Sequence, residues 1–314
     1  MPSEPITAAA PAKLNLSLAV LERRADGFHG IESLMVGVSL ADTLRLSGSE
    51  TNGISLTIRS AGCLASPRGN QLVCDVPADA TNLVVRAVTA LAAEAGIEPA
   101  LEIELVKEIP AGAGLGGGSS DAAAAIRLAA AAWSLDWPTE RLAAIGSRLG
   151  SDIPWFFAGG PAVARGRGEV IDPVPDLVPL AAVIAMPAVG LSTPAVYKAC
   201  TPEPLRAGEA DRLAQALATG DLPAALPLMH NSLEAPARSL CPEIDRLLAD
   251  LGHAGGLAPR LTGSGSACFT LCRTLAEARS IAARLSALED AGQPRWPAVW
   301  PVELTAARGR GSRP

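Results

Sequence analysis

Three observations predict an α+β fold in two domains. Strand and helix patterns interleave along all 314 residues. Hairpin-like strand pairs interrupt them, which argues against a doubly wound parallel sheet. A proline-dense loop, DPVPDLVP, divides the chain into residues 1–172 and 173–314. In APAKLNLSLAVLE, Ala12, Leu14, Leu16, Leu18 and Val20 alternate with Lys13, Asn15 and Ser17, the pattern of a half-buried strand. SLMVGVSLADTLRLSG reads as two strands around a turn near Ala41 and Asp42, and GISLTIRS as another strand. TNLVVRAVTALAAEAG has a Thr or Asn start and a Gly96 stop, the marks of a helix. ALEIELVKEI alternates as a strand and runs into a glycine-rich stretch. The helix SSDAAAAIRLAAAAW follows, with small residues on almost every side, suited to close packing against a sheet. PTERLAAIGSRLG is a further helix opened by Pro138, and a turn at SDIPWFF precedes the hairpin GGPAVARGRGEVID.

The second half reads as a strand over 180–186 and helices over roughly 193–199, 209–218, 221–229 and 241–251. Strands follow over 257–262 and 267–272, then a helix over 274–288 and a strand over 298–304. Aromatic residues make up only 3% of the chain, so aliphatic and alanine packing must build the core. The net charge of −6 argues against nucleic acid as a partner, and the tail RGRGSRP reads as a frayed end. No charged and then apolar leader opens the chain, so no signal peptide is expected. The longest apolar stretch, LVPLAAVIAMPAVGL, is broken by prolines and too short to span a bilayer, so no membrane association is expected and a buried strand is the plainer reading. Cys63, Cys74, Cys200, Cys241, Cys268 and Cys272 contain no C-x-x-C pair, and with only three histidines no zinc pattern appears. Cys268 and Cys272 should share one face of an apolar strand as core thiols, reduced in the cytoplasm, the expected location.

The stretch KEIPAGAGLGGGSSDAA carries the chemistry. Gly112, Gly114, Gly116, Gly117 and Gly118 lie directly before a helix. Successive glycines let backbone amides converge on an anion, and a helix N-terminus adds unpaired amides and partial positive charge. Ser119 and Ser120 add hydroxyl donors, so the stretch reads as a phosphate cradle rather than a linker or a plain strand-to-helix turn. Two better-known phosphate motifs fail. GAGLGG matches G-x-G-x-x-G, but a second helix follows where a strand ending in an acidic residue is required. GAGLGGGS matches G-x-x-x-x-G-K-[ST] except that Gly118 stands in place of the lysine that reaches the phosphates.

PAGAGLGGGSSDAA resembles the signature P-x-x-x-G-L-G-S/G-S/G-A/S of the GHMP small-molecule kinases. PRLTGSGSACFTL resembles the C-terminal glycine motif of that superfamily, and APAKLNLSLAVLERRADGFHGIESL and LGSDIPWFF resemble the opening and the G-[AS]-D-[VI]-P-x-F stretch of one of its branches. The P-A-K-x-N-x-x-L and R-x-D-G-[YF]-H patterns single out the branch that phosphorylates the 2-hydroxyl of a diphosphocytidyl-methylerythritol on the non-mevalonate route to isoprenoid precursors. The resemblance implies an N-terminal domain like domain 2 of ribosomal protein S5, a ferredoxin-like C-terminal domain and an active site in the cleft between them. It implies ATP as phosphoryl donor, bound by Pro110, Ala111, Gly112, Ala113, Gly114, Leu115, Gly116, Gly117, Gly118, Ser119 and Ser120.

The resemblance further implies a role for each remaining candidate. Asp152 would take the acceptor's proton, although an aspartate in SDIP also suits a turn or helix cap. Lys13 would orient Asp152 and stabilise charge on the moving phosphoryl group, although an exposed strand lysine alternates identically. Asn15 shares its polar face. Phe28 and Tyr197 would stack on the cytosine and His29 would hydrogen-bond it; core packing of the two rings is the plain alternative. Phe28 stands where the family more often has tyrosine, so any hydrogen bond from that hydroxyl is lost. Thr193, Lys198, Asn231, Thr262, Gly263 and Ser264 complete the acceptor side, the last three in a small-residue loop that alone would read as a hairpin turn. Mg²⁺ is expected with ATP although no acidic cage is visible, since magnesium leans on phosphates and waters. The expected partner is a small molecule with a cytidine diphosphate moiety, and a homodimer is compatible with the chain but not required by it.

Overall fold

The computed structural model describes residues 4–24, 27, 29–60, 76–203 and 206–305. Phe28, Cys63, Cys74 and the basic tail from Arg308 lie outside the described residues. The first half contains β1 (Ile6–Asn15), β2 (Ala19–Arg23), β3 (His29–Gly48), β4 (Gly53–Ser60), α1 (Leu83–Ala95), β5 (Ala100–Lys107), α2 (Gly117–Ala132), α3 (Thr139–Ser147), α4 (Trp155–Ala158), β6 (Ala162–Gly166) and β7 (Val170–Pro173). The second half contains β8 (Ala181–Met186), α5 (Thr193–Lys198), α6 (Glu209–Thr219), α7 (Leu222–Ala225), α8 (Glu234–Leu240), α9 (Glu243–His253), β9 (Leu257–Leu261), β10 (Cys268–Cys272), α10 (Leu275–Ser286), the short pair β11 (Glu289–Asp290) and β12 (Gln293–Pro294), and β13 (Ala298–Thr305).

The β3 strand is the spine of the molecule. It pairs antiparallel with β1, β2, β5, β6 and the end of β13, and through β13 it joins the order β13-β8-β10-β9 of the second half. Among the described strands, β4 and β5 are the one pair that runs parallel. The mixture of hairpins and one parallel pair is the α+β arrangement expected from the sequence.

One predicted turn is absent. Ala41 and Asp42 lie inside β3, paired with Pro11 and Ala10 of β1. Aspartate is rare in strands, which is why the sequence reads as a turn. Here its carboxylate is fully buried and satisfied by Lys107 Nζ and by the amides of Glu108 and Ile109. The irregularity lies slightly earlier, as a bulge in which Ala12 alone spans Val38, Ser39 and Leu40. From Ala12 through Ser17, the end of β1 and the residues just after it are buried on both faces rather than half-buried. Lys13, Asn15 and Ser17 on its polar face are as buried as Leu14 and Leu16 on the other.

The alanine-rich α2 behaves as its small residues require. It buries Ala122–Ala125, Ala129 and Ala130 between α1 and the strands β1 and β3. Asn82 caps α1 through its side chain, which accepts from the amide of Val84, and Gly96 closes the helix in the left-handed conformation. In the second half, β8 is buried on both faces. Ala182, Ile184 and Met186 join a core shared with Leu14, Val36 and Phe269, and Ala181, Val183 and Ala185 face α9 and α10. The predicted helix over 221–229 is divided: Pro223 and Pro227 remove amide donors, so α7 gives way to a 3₁₀ turn at Leu226–Leu228. The helix α8 was not expected from the pattern, and α9 begins two residues later than the 241–251 reading. Cys268 and Cys272 share a buried face of β10, and burial raises both thiols, Cys272 to about 12.

Phe269 is fully buried in the core that spans both halves of the chain. Phe269→Ala should therefore cost about 3–5 kcal/mol, read from the denaturant midpoint at constant slope. A loss under about 1 kcal/mol would contradict this placement of the core.

Candidate active site

The glycine stretch leaves β5 and re-enters the chain as α2. Gly112, Gly114 and Gly116 take φ values of 66°, 78° and 73°, a left-handed conformation that side chains resist. The loop's carbonyls are tied back into the protein. Ala113 O accepts from the amide of Ala267 at 3.2 Å, Leu115 O from that of Lys13 at 3.0 Å, and Gly114 O from Lys13 Nζ at 2.9 Å. The amides of residues 112–119 make no hydrogen bond to any described residue. Carbonyls turned back and amides left free, at the start of a 16-residue helix, form an anion cradle.

A second small-residue loop, 262–265, packs directly onto the first. A Cβ on Gly114 would lie 2.2 Å from Thr262 O, and one on Gly263 would lie 2.8 Å from Gly114 O and 3.2 Å from Lys13 Nζ. Lys13 is thus enclosed by both loops. Its ammonium also donates to Asn15 Oδ1, and Asn15 in turn donates to Ser33 Oγ at 2.7 Å. Burial lowers the Lys13 pKa and the charge of Asp152 partly restores it. Asp152 lies in the turn before α4, near enough to act on Lys13 through space but without a direct ion pair to it. Its charge also reaches Tyr197, whose phenol is pushed up, first by desolvation and then by Asp152.

These groups line one cleft of about 1160 Å³. Asn82, Leu83 and Leu105 flank the glycine loop in its wall, as do His29, Thr193, Tyr197, Lys198 and Ser264 from the other elements. The His29 and Tyr197 rings are near-parallel, 15° apart in plane with centroids at 6.3 Å. Thr193 Oγ1 and Ser264 Oγ are hydrogen-bonded at 2.7 Å, which couples α5 to the second glycine loop.

The structure gathers most of the residues singled out from the sequence. Lys13, Asn15, His29, Pro110 through Ser119, Asp152, Thr193, Tyr197, Lys198, Gly263 and Ser264 all contribute to the cleft wall. Three stand behind it. Thr262 is fully buried and accepts from the Asn15 amide at 3.1 Å. Asn231 uses its amide group on Leu261 O and Gly263 O, at 2.9 and 2.8 Å, and its carbonyl on the amide of Leu233. It braces the second loop from below. Ser120 is buried with no partner for its hydroxyl. Phe28 lies outside the described residues. Sequence reasoning missed Arg23 and Arg167, which line the cleft, and the buried group Lys107, Asp42 and Asp121 beneath the glycine loop. Asp42 left a signal, a charge inside an apolar alternation; the pairing of Lys107 with Asp121 left none.

Comparison with known proteins agrees with this geometry. Residues 82–160 match the GHMP kinases N terminal domain and residues 213–290 the GHMP kinases C terminal domain. The 4-diphosphocytidyl-2-C-methyl-D-erythritol kinase of Rhodococcus jostii is 38% identical over 287 residues, covering 90% of this chain and 88% of the relative. The enzyme of the same name from Pelotomaculum thermopropionicum is 38% identical, covering 89% and 93%. A crystal structure of 4-(cytidine 5'-diphospho)-2C-methyl-D-erythritol kinase superposes with a TM-score of 0.74 at 34% identity, covering 95% of this chain and 99% of the other. Homoserine kinase from Cytophaga hutchinsonii shares the fold alone, with a TM-score of 0.75 at 20% identity, covering 98% and 96%. With the interlocked glycine loops, the buried lysine and the near-full-length likeness all in one chain, this protein belongs to the 4-diphosphocytidyl-2-C-methyl-D-erythritol kinase family of the GHMP kinases.

Proposed function

We propose that the chain transfers the γ-phosphoryl group of ATP to the 2-hydroxyl of 4-diphosphocytidyl-2-C-methyl-D-erythritol, releasing ADP and the 2-phosphate. The observation that carries this is the position of Lys13 Nζ, bonded to Gly114 O at 2.9 Å inside the anion cradle and in the field of Asp152. The phosphates lie on the free amides of the glycine loop, and the nucleoside lies toward Leu83, Leu105 and Asn82. The acceptor enters past Tyr197 and His29, whose near-parallel rings offer a flat face to cytosine. Its hydroxyl oxygen forms the new bond to phosphorus as the bridging oxygen–phosphorus bond to ADP breaks, and Asp152 takes the hydroxyl proton.

An ammonium has three donors, and Lys13 uses two of them on Gly114 O and Asn15 Oδ1. The third is free to stabilise charge on the moving phosphoryl group. Mg²⁺, when bound with the nucleotide, would supply charge neutralisation at the phosphates. Among the described residues, no three His, Cys, Asp or Glu side chains gather to hold a metal ion. In this reading residues 1–172 carry the nucleotide and residues 173–314 supply Tyr197, Lys198 and the second glycine loop. Among the described residues, no helix is long and apolar enough to cross a membrane.

ADP release with ATP, Mg²⁺ and a panel of acceptors tests the assignment. Turnover is expected with the cytidine-bearing acceptor and not with homoserine, mevalonate or phosphomevalonate; preference for any of these three would refute it. Asp152→Asn should lower kcat by about a hundredfold or more. Tyr197→Ala should raise the acceptor KM by roughly tenfold and leave the ATP KM in place, as loss of one stacking face predicts; equal effects on both would contradict the pocket assignment. Gly114→Ala should weaken ATP binding by about tenfold or more, because its methyl meets a backbone carbonyl and its φ is left-handed; wild-type affinity would show that the loops need no such approach.

A further inference from the structure

The glycine loop has a foundation that the reaction scheme does not use. It leaves β5 at Lys107 and enters α2 at Gly117. Asp42 of β3 binds its first two residues: Oδ1 accepts from the amides of Glu108 at 2.6 Å and Ile109 at 2.8 Å. Its Oδ2 accepts from Lys107 Nζ, which also donates to Asp121 Oδ2 at 2.7 Å. Asp121 begins the second turn of α2, and a Cβ on Gly117 would lie 3.4 Å from Lys107 Nζ, so the ammonium sits directly beneath the helix start. All three side chains are at most 4% exposed, so water does not replace a lost partner. Asp121 Oδ1 is buried and unpartnered, and both Asp121 and Lys107 contribute to the cleft wall.

We propose that Asp121 is a positioning residue: with Lys107 and Asp42 it clamps the two ends of the phosphate-binding loop together and so sets how tightly the loop holds a nucleoside triphosphate. The inference rests on the reading of this loop as the nucleotide site. The charged groups facing Asp121 are Lys107 from β5 and Asp42 from β3, and the buried residues of α1 are apolar. Burial pushes the Asp121 carboxyl up to about 8, against the pull of Lys107 and with a further push from Asp42. Burial lowers the Lys107 pKa, and attraction to Asp121 and Asp42 outweighs that and raises it. As pH rises through about 8, Asp121 ionises and adds a negative charge under the loop, opposing a bound triphosphate.

The test is the dissociation constant of ATP by calorimetry from about pH 6.5 to about 9.5, for wild type, Asp121→Asn and Asp121→Ala, with thermal unfolding of each. Wild-type affinity should fall several-fold above about pH 8. Asp121→Asn keeps an oxygen for Lys107 but never ionises, so that fall should vanish. Asp121→Ala should weaken binding about tenfold at pH 7 while the chain remains folded. The clamp is overturned if Asp121→Asn loses affinity with pH as wild type does, or if Asp121→Ala binds ATP as tightly as wild type. Failure of the wild-type chain to bind ATP at pH 7 would overturn the nucleotide reading, and the clamp with it.

Discussion

The near-contact of two backbones governs this site. Gly114 and the loop at Thr262–Gly265 approach so closely that no side chain fits between them, and the Lys13 ammonium sits against the junction on Gly114 O. One loop follows β5 of the first half and the other lies between β9 and β10 of the second, so their contact fixes the cleft's halves relative to each other. Glycine is needed here for two separate reasons. At Gly114 and Gly263 the backbone is left-handed and a methyl group would collide with a carbonyl. At Gly118, by contrast, a Cβ would meet only Leu83 at an ordinary distance, so the requirement there is not steric within the chain.

The polar face of β1 shows why this arrangement is stable enough to use. Burying Lys13, Asn15 and Ser17 would be costly without partners. Each polar group finds one: Lys13 on Asn15 and Gly114, Asn15 on Ser33 and Thr262, and Ser33 on the carbonyl of Ser17. The chain of hydrogen bonds from Lys13 to the framework is thus continuous, and it holds the ammonium in place without a direct ion pair to Asp152. That leaves the carboxylate available to an acceptor hydroxyl.

Much of this was legible in the sequence because local chemistry and tertiary role coincide. The glycine loop, the capped helix α1 and the alanine helix α2 announce themselves by residue type alone. The double burial of β1 does not, since alternation is the same whether the polar face meets solvent or a cleft wall. Asp42 was read as a turn because its burial depends on Lys107, 65 residues away, and no local pattern encodes that distance. Asn231 carried a resemblance to an acceptor residue, yet its hydrogen bonds go to the backbone of the second loop. Proximity to a site in sequence motifs does not distinguish a wall residue from its brace.

Homoserine kinase from Cytophaga hutchinsonii shares the fold at 20% identity, and a fold alone does not specify an acceptor. In the proposed reaction the choice falls to the elements around Tyr197, His29 and Lys198, while the cradle and Lys13 handle the phosphoryl group. The central claim is that donor phosphate and acceptor hydroxyl meet between Lys13 and Asp152. Phosphorus NMR of the product formed from ATP and 4-diphosphocytidyl-2-C-methyl-D-erythritol tests it most directly. The account predicts one new phosphomonoester resonance with the diphosphate resonances of the acceptor intact. Free phosphate alone, or a phosphoryl group added to the diphosphate, would contradict it.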